Sequence, residues 1–322
     1  MNLKLPFAGV RLRSVSIAVL AAVALSAANV RAAPDTAKIE ADTGLKGTWT
    51  EAEGVFKVTQ PRNDLPIAVD GWTMPPFMGL TSWAAFSAGG TSEVMIAGDL
   101  VLFEDEVNPV MSAALDAGLS VTALHNHFFF DQPRVYFMHL GGEGTLDKMA
   151  AGVKAALAQQ KAIRTVQPQP GKIFGTGFAP AKNAITGTAV DQILGTKGQA
   201  NNGMFKVVLG REVKMPCGCL MTKEMGVNTW AAYAGTDDNA VVDGDFAVLE
   251  DELQPVLKSL RGSGINIVAI HSHMTHEEPR MLFLHYWGRG AVDALTRKLK
   301  SALDAQAAVV PPTHDHEHAT KA

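Results

Sequence analysis

Short apolar stretches bounded by turn residues recur along the chain and predict β-strands. In the first half these stretches are Phe56–Thr59, Trp83–Ser87, a part of Glu93–Phe103, Val121–His127 and Arg134–Leu140. Two segments have helical character instead. One begins at the acidic run Glu104–Glu106, which suits the positive end of a helix dipole, and ends at Gly118. The other, Thr145–Gln160, has apolar residues three and four positions apart.

The predicted order β-β-β-α-β-β-α occurs twice. When the numbering is shifted by 146, residues 98–149 align with residues 244–295 without a gap, and 18 of these 52 positions are identical. An internal repeat of this length is typical of a duplicated folding unit. We therefore predict an α+β fold made of two tandem homologous β-β-β-α-β-β-α units that form a pseudo-dimer.

The N-terminus has the pattern of a secretory signal peptide. Basic residues precede an apolar run from Val15 to Ala28, and small residues follow near Ala33. No cysteine lies near this cleavage site, so we expect no lipid anchor there, and no other stretch reaches the length of a membrane span. The sequence thus predicts a periplasmic or secreted protein whose mature form has no membrane anchor.

The repeat and the local composition together set the predicted boundaries. The segment between the two copies is rich in Pro, Gly and Ala, which is typical of a linker. The predicted organisation is a signal peptide (1–33), repeat unit 1 (38–160), a linker (161–185), repeat unit 2 (186–307) and a disordered tail containing histidines (308–322).

Composition and charge narrow the classes of function. Apolar residues make up 47% of the 322 residues and charged residues 19%, so most of the chain can bury a core. Removal of the signal peptide takes away four basic residues and no acidic ones, which leaves 24 basic and 32 acidic groups and a formal charge of −8. A net acidic surface argues against nucleic acid as a partner. Because no phosphate-binding loop or dinucleotide fingerprint occurs, we expect no nucleotide cofactor.

Histidines occupy matching positions in the two copies. Two of them stand two residues apart on one predicted strand, so both point to one face, and a third lies on the next strand. Such a set is typical of a transition-metal site, and we expect zinc or copper. Copy two has one more histidine, in the loop, and therefore the fuller ligand set. The candidate ligands are His125, His127 and His139 in copy one and His271, His273, His276 and His285 in copy two.

Charged residues beside these histidines are candidates for a catalytic role. Glu277 can act as an acid–base group or as a ligand. Arg134 and Arg280 each follow a proline and can bind a small anionic ligand through two parallel hydrogen bonds. An ion pair with Glu104 or Asp105, or with their counterparts in copy two, explains the arginines at least as well.

Two further features have more than one interpretation. Asp99 and Asp245 match between the copies and fit either helix capping or acid–base chemistry. Cys217 and Cys219 lie in a segment flanked by methionines, where two soft ligands suit Cu(I) and where an oxidising compartment would favour a disulfide. Copy one has no cysteine, so this motif is particular to copy two.

Segments in both copies resemble the LppY/LpqO family of exported proteins. The resemblance rests on GDLVLFEDEVNPVMSAALDAGLSVTALHNH (98–127) and PRMLFLHYWGRGAVDAL (279–295) and extends over nearly the whole mature chain. It implies an exported two-copy protein but assigns no biochemical activity. The two members that give the family its name are lipoproteins, whereas this chain lacks the lipidation cysteine, so membrane anchoring does not carry over.

Two functions are compatible with these patterns. The first is an exported protein that binds a transition metal through its His-x-His and distant histidine clusters, either as a metal-dependent enzyme acting on a small anionic substrate or as a metal carrier. The second is a metal-free binding or structural module of the cell envelope. In that module the histidines sense pH or satisfy buried polar groups.

Overall fold

A computed structural model of the protein describes residues 33–174 and 182–309. The predicted signal peptide (1–33) lies outside these ranges except for its last residue, and the predicted tail (308–322) lies outside them except for its first two. Within the described ranges, no helix has both the length and the apolar character needed to cross a membrane.

Copy one contains three helices and nine strands within its described residues. A short 3₁₀ helix at Pro76–Met78 precedes β5. In chain order the elements are α1 (Thr36–Thr43), β1 (Gly47–Thr50), β2 (Val55–Pro61), β3 (Ala68–Val69), β4 (Trp72–Thr73), β5 (Thr81–Ala88), β6 (Val94–Phe103), α2 (Glu104–Asp116), β7 (Ser120–His125), β8 (Asp131–Gln132), β9 (Val135–Gly144) and α3 (Leu146–Val166).

Copy two repeats this order except that its described residues have no counterpart of β8, and it has a 3₁₀ helix at Lys223–Met225. Its elements are α4 (Thr188–Leu194), β10 (Gln199–Asn201), β11 (Met204–Gly210), β12 (Val213–Lys214), β13 (Leu220–Met221), β14 (Asn228–Thr236), β15 (Asn239–Leu249), α5 (Glu250–Gly262), β16 (Asn266–His271), β17 (Met281–Gly290) and α6 (Val292–Ala307). The fold is therefore mixed α+β with two similar halves, as the repeat predicts.

Twelve strands form one continuous sheet across both copies. Their order is β1-β2-β5-β6-β9-β7-β16-β17-β15-β14-β11-β10, so each copy supplies six neighbouring strands. The copies meet where β7 and β16 pair antiparallel, with Leu124 opposite Ile270. This pairing joins two sheet edges that would otherwise be exposed.

Each copy is larger than the predicted β-β-β-α-β-β-α order. A helix and a short strand precede the first predicted strand in both copies, namely α1 and β1 in copy one and α4 and β10 in copy two. Strand β1 has only four residues, none of them fully buried, so it carries little hydrophobic signal. Helix α3 also continues six residues beyond the predicted end at Gln160. The extra turns bring Arg164 to Asp105 and Glu106 at the start of α2.

The two faces of the sheet are covered differently. One face packs against the helices in a large apolar core that contains Leu124 and Ile270. On the opposite face of copy one, Phe137 packs in a smaller cluster with apolar residues from the segment between β2 and β5. Phe283 occupies the corresponding cluster in copy two. Because side chains alternate along a strand, His125 and His271, each next to a residue of the large core, point to this second face.

Hydrogen bonds between the copies are reciprocal. The Asn108 side chain on α2 donates to the Ile267 carbonyl (3.1 Å) and accepts from the Ile267 amide (2.7 Å). The Gln254 side chain on α5 makes the matching pair with Val121, at 2.8 Å to its carbonyl and 3.0 Å from its amide. Asn108 and Gln254 are equivalent residues of the two copies, and so are Val121 and Ile267. Each of the two side chains therefore binds the same backbone position of the other copy, as in a two-fold symmetric interface.

Candidate metal centre

Three strands of copy two bring two histidines and an aspartate together. His271 ends β16, while His285 lies in the middle of β17 with Ala269 opposite it on β16. On its other side β17 pairs with β15, where Asp245 stands directly opposite His285. Directly opposite residues in an antiparallel pair point to the same face, so Asp245 and His285 are side by side.

The spacing of these groups fits a single metal ion. One nitrogen from each of His271 and His285 and one carboxylate oxygen from Asp245 all lie within 4.8 Å of one another. Two atoms bound to one ion at about 2.0–2.2 Å each can be at most about 4.4 Å apart. Shifts of a few tenths of an ångström would therefore suffice for all three atoms to bind one ion.

Hydrogen bonds orient two imidazoles so that their Nε2 atoms can act as ligands. His285 Nδ1 lies 3.3 Å from the Gly244 carbonyl oxygen, and His273 Nδ1 lies 3.2 Å from the Gly226 carbonyl oxygen. A carbonyl oxygen only accepts, so in each case Nδ1 carries the proton and donates it. In the neutral ring Nε2 then has a free lone pair, as in histidines that bind metals.

Buried polar atoms at this centre lack partners. Asp245 Oδ1 and His271 Nδ1 are buried and have no hydrogen-bond partner among the described residues. Burial raises the pKa of Asp245, against the opposing effect of the His285 and His273 imidazoles. Burial, together with the neighbouring His285 and His273 imidazoles, lowers the pKa of His271 to about 4. His271 is therefore neutral at pH 7, and a cation would compensate the buried carboxylate.

His273 is placed to become a fourth ligand. Its Nε2 is 3.1 Å from His271 Nε2 and 3.5 Å from Asp245 Oδ2. Its ring stacks on Phe283 with centroids 3.5 Å apart and planes 9° from parallel, which limits its orientation. The His273 side chain is 32% exposed whereas that of Asp245 is 3% exposed, so solvent reaches the centre from the His273 side.

Copy one has the same residue types in a different arrangement. His125 Nε2 and His139 Nε2 are 3.0 Å apart, and Asp99 stands directly opposite His139. The His127 ring stacks on Phe137 at 3.3 Å, and burial lowers the pKa of His127. Within the described ranges, the only three-residue group of potential ligands lying within 4.8 Å is the one in copy two.

The other candidate residues do not belong to this group. His276 is exposed on the loop between β16 and β17 and has φ +66°. Glu277 is buried and accepts a hydrogen bond from the Met281 amide (3.1 Å). Arg280 donates a hydrogen bond to Ser272 Oγ at 3.4 Å, and Ser272 is the middle residue of the His-x-His motif. Arg134 is 3.9 Å from Glu104, which is one of the ion pairs expected for it.

From the sequence alone, Asp245 fits either a helix cap or an acid–base group, and the structure makes it a candidate metal ligand. It lies five residues before helix α5 begins, so it does not cap that helix. The signal that could have identified it is the identical position of Asp99 and Asp245, each directly followed by four apolar residues of its strand. A buried carboxylate in such a strand is costly unless something compensates its charge.

We expect the metal-free protein to lose stability as the pH falls from 6.5 to about 4, because His271 has a lowered pKa in the fold. In that interval the unfolded chain binds a proton that the folded protein excludes, so acid favours unfolding. Above pH 6.5 neither state is protonated and the contribution vanishes. His271→Gln cannot be protonated there and should flatten this part of the profile, measured by denaturant unfolding in the presence of a chelator.

The raised pKa of Asp245 contributes with the opposite sign, since its protonation at low pH relieves a buried charge. This carboxylate is present in both proteins, so the difference between their profiles reports on His271. Equal slopes for wild type and His271→Gln between pH 4 and 6.5 would contradict the assignment.

Comparison with known proteins identifies a domain but no activity. A family model described as a Domain of Unknown Function (DUF1259) matches twice, at residues 37–159 and 188–305. A search of curated proteins finds no match.

Two solved structures are distantly similar. One is the trimeric bacterial microcompartment shell protein PduB, at 9% identity over 80% of this chain and 89% of that one, with a TM-score of 0.21. The other is a double-ringed trimeric shell protein of the RMM microcompartment, at 11% identity over 78% of this chain and 97% of that one, with a TM-score of 0.17. Likenesses this weak carry no argument about fold or function.

Proposed function

This chain belongs to the DUF1259 family, whose domain it contains twice, and we propose that its second copy binds a divalent transition metal, zinc or copper, through Asp245, His271 and His285. The observation that carries this proposal is the convergence of these three donors within 4.8 Å, with a buried carboxylate oxygen left without a partner. His273 completes a donor set of three nitrogens and one oxygen. Imidazole and carboxylate donors in this number suit zinc and copper.

Access to solvent bears on what the centre can do. When bound, the metal would supply a Lewis acid to a ligand that reaches it from the exposed His273 side. Arg280, 44% exposed and next to the His-x-His turn, is the residue placed to orient a small anionic ligand. Glu277 holds the Met281 amide and lies 3.9 Å from Arg280, so its role in this proposal is to position that arginine.

Titration with zinc and with copper(II) tests the proposal. The full mature chain is used with His314, His316 and His318 replaced by alanine, because tail histidines bind metals without a fixed geometry. We expect at least one ion bound per chain by calorimetry. A rise in the thermal unfolding midpoint should accompany it, because an ion that binds only the folded state at 100 times its Kd adds about 2.7 kcal/mol.

The double variant His271→Ala/His273→Ala identifies the site. We expect it to lose the second-copy ion, while the matched variant His125→Ala/His127→Ala in copy one keeps it. No stoichiometric binding to the wild-type chain, or equal binding by both double variants, would overturn the proposal.

One set of contacts favours a second candidate, the metal-free envelope module. The His271–His273 and His125–His139 pairs approach each other as hydrogen-bonded imidazoles, and His127 and His273 stack on buried phenylalanines. These contacts can serve packing alone. In that case, zinc and copper leave the unfolding midpoint unchanged, and the histidine variants lose stability without any change in metal content.

We further propose that the protein acts outside the cytoplasm and that its two copies work as a fused pseudo-dimer. Support for export comes from the basic and apolar pattern of residues 1–33. Support for the pseudo-dimer comes from the reciprocal bonds of Asn108 and Gln254. Fractionation of cells that express the full chain, followed by N-terminal sequencing of the product, tests the export step.

A further inference from the structure

A hairpin of copy two carries two thiols that the proposed metal centre does not use. Strands β12 and β13 pair antiparallel, and five residues connect them in a tight turn. Within it the Gly218 amide donates to the Met215 carbonyl and the Met215 amide donates to the Cys219 carbonyl, both at 2.8 Å. Gly218 has φ +79°, which glycine adopts without strain. These bonds fix Cys217 and Cys219 at the tip.

The two thiols are exposed and close to each other. Both cysteines are free and solvent-accessible. The Cys219 amide donates to Cys217 Sγ at 3.4 Å, and Cys219 Sγ donates to the Cys217 carbonyl oxygen at 4.0 Å. Their proximity lowers the pKa of Cys217 and raises the pKa of Cys219. The two thiols are therefore neighbours at the tip of the turn, where a single ion can reach both.

The hairpin itself is anchored to the body of copy two. The Lys214 amide donates to the Glu278 carbonyl (3.0 Å), and the Glu278 amide donates to the Lys214 carbonyl (2.9 Å). Met215 and Met221, at the two ends of the turn, pack against the cluster that contains Phe283. The thiols thus stand on a fixed support, which lowers the entropy lost when they bind an ion.

We propose that Cys217 and Cys219 bind one monovalent copper ion, at a site separate from the Asp245–His271–His285 centre. Thiolates are soft ligands that select Cu(I), and this ion accepts two ligands. Zinc takes four ligands in structural sites. Among the described residues the cysteine pair belongs to no group of three or more potential ligands, so the pair suits Cu(I) better.

Binding of Cu(I) by the two thiols requires no electron transfer. Both thiols release their protons to solvent, two Cu–S bonds form, and copper stays monovalent. The corresponding hairpin of copy one, formed by β3 and β4, has no cysteine, so one such site is expected per chain.

An anaerobic competition titration of the reduced full chain tests this inference. Cu(I) is supplied with a chromophoric chelator of known affinity, and free thiols are counted beforehand to confirm two per chain. We expect one Cu(I) to transfer from the chelator, with a copper–thiolate charge-transfer band in the ultraviolet. Cys217→Ser/Cys219→Ser should lose this ion, with an affinity at least 100-fold weaker, and should keep the wild-type unfolding midpoint because both side chains are exposed.

Asp245→Asn is the matched control, since it alters the histidine centre and leaves the hairpin intact. It should bind Cu(I) as the wild type does. Equal Cu(I) binding by the double serine variant, or no transfer from the chelator to the wild type, would overturn the inference. Neither result bears on the proposed divalent site, whose test uses zinc and copper(II).

Discussion

Asp245→Asn is expected to weaken zinc binding at the second-copy centre by at least about 100-fold. Loss of an outer hydrogen-bond partner of a metal ligand costs about 10- to 100-fold in affinity. Asp245 would be a direct ligand and the charged donor of the group, so its loss should cost more. Competition with a chromophoric chelator measures the affinity.

The same substitution should leave the metal-free protein as stable as the wild type, or more stable. Asp245 is almost fully buried, its Oδ1 has no partner among the described residues, and burial raises the pKa of its carboxyl group. Asparagine has the same shape without the buried charge, so the desolvation cost falls. Unfolding of both proteins in the presence of a chelator tests this half of the prediction.

Asp99→Asn is the matched control, because Asp99 has the same position opposite His139 in copy one. It should leave zinc affinity at the second-copy centre unchanged. Wild-type zinc affinity in Asp245→Asn would show that the carboxylate is not a ligand. A large loss of metal-free stability in that variant would show that Asp245 serves the fold instead.

The histidines of the centre could be predicted because they depend on local pattern. His271 and His273 are two residues apart, and strand periodicity predicts that they share a face. The predicted strand extends too far, because β16 ends at His271, and His273 reaches His271 from the loop that follows. The placement of His285 on the next strand also follows from the chain order, since β16 and β17 are consecutive and pair directly. Repetition of all three positions in copy one strengthened the prediction.

The role of Asp245 depends on the order of the strands in the sheet, and the local sequence pattern does not reveal that order. In sequence, helix α5 and strand β16 separate β15 from β17, yet β15 and β17 are neighbours in the sheet. Only this non-sequential pairing places Asp245 opposite His285. The same limit applies to the junction of the copies. The repeat indicates a pseudo-dimer, but the pairing of Leu124 with Ile270 depends on which strand of each copy remains at the edge.

A second expected effect concerns the buried ion pair that holds α2 in copy one. The Arg62 guanidinium binds Glu106 through two hydrogen bonds, at 2.5 and 2.7 Å, and Arg164 Nε lies 2.8 Å from the same carboxylate. Glu106 also accepts from the Phe103 amide (2.9 Å), which caps the first turn of the helix. The Arg62 and Glu106 side chains are 3% and 0% exposed.

Glu106→Gln is therefore expected to destabilise the protein by about 3–5 kcal/mol, measured by urea unfolding at pH 7. Removing one partner of a buried pair leaves the other charge without compensation in a medium that solvates it poorly. Arg62 and Arg164 would both lose their shared carboxylate, but Arg62 keeps its ion pair with Asp64 and Arg164 keeps its ion pair with Asp105, so the cost should lie toward the lower end of this range.

Copy two contains the matched control for this expectation. Arg211 pairs with Glu252 at the corresponding place, but these side chains are 27% and 11% exposed. Water screens a partly exposed pair and solvates the arginine after the substitution, so Glu252→Gln should cost clearly less than Glu106→Gln. Equal losses in the two variants would contradict burial as the cause and would indicate that the helix-capping bond, which Glu252 also makes to the Leu249 amide at 2.8 Å, dominates in both copies.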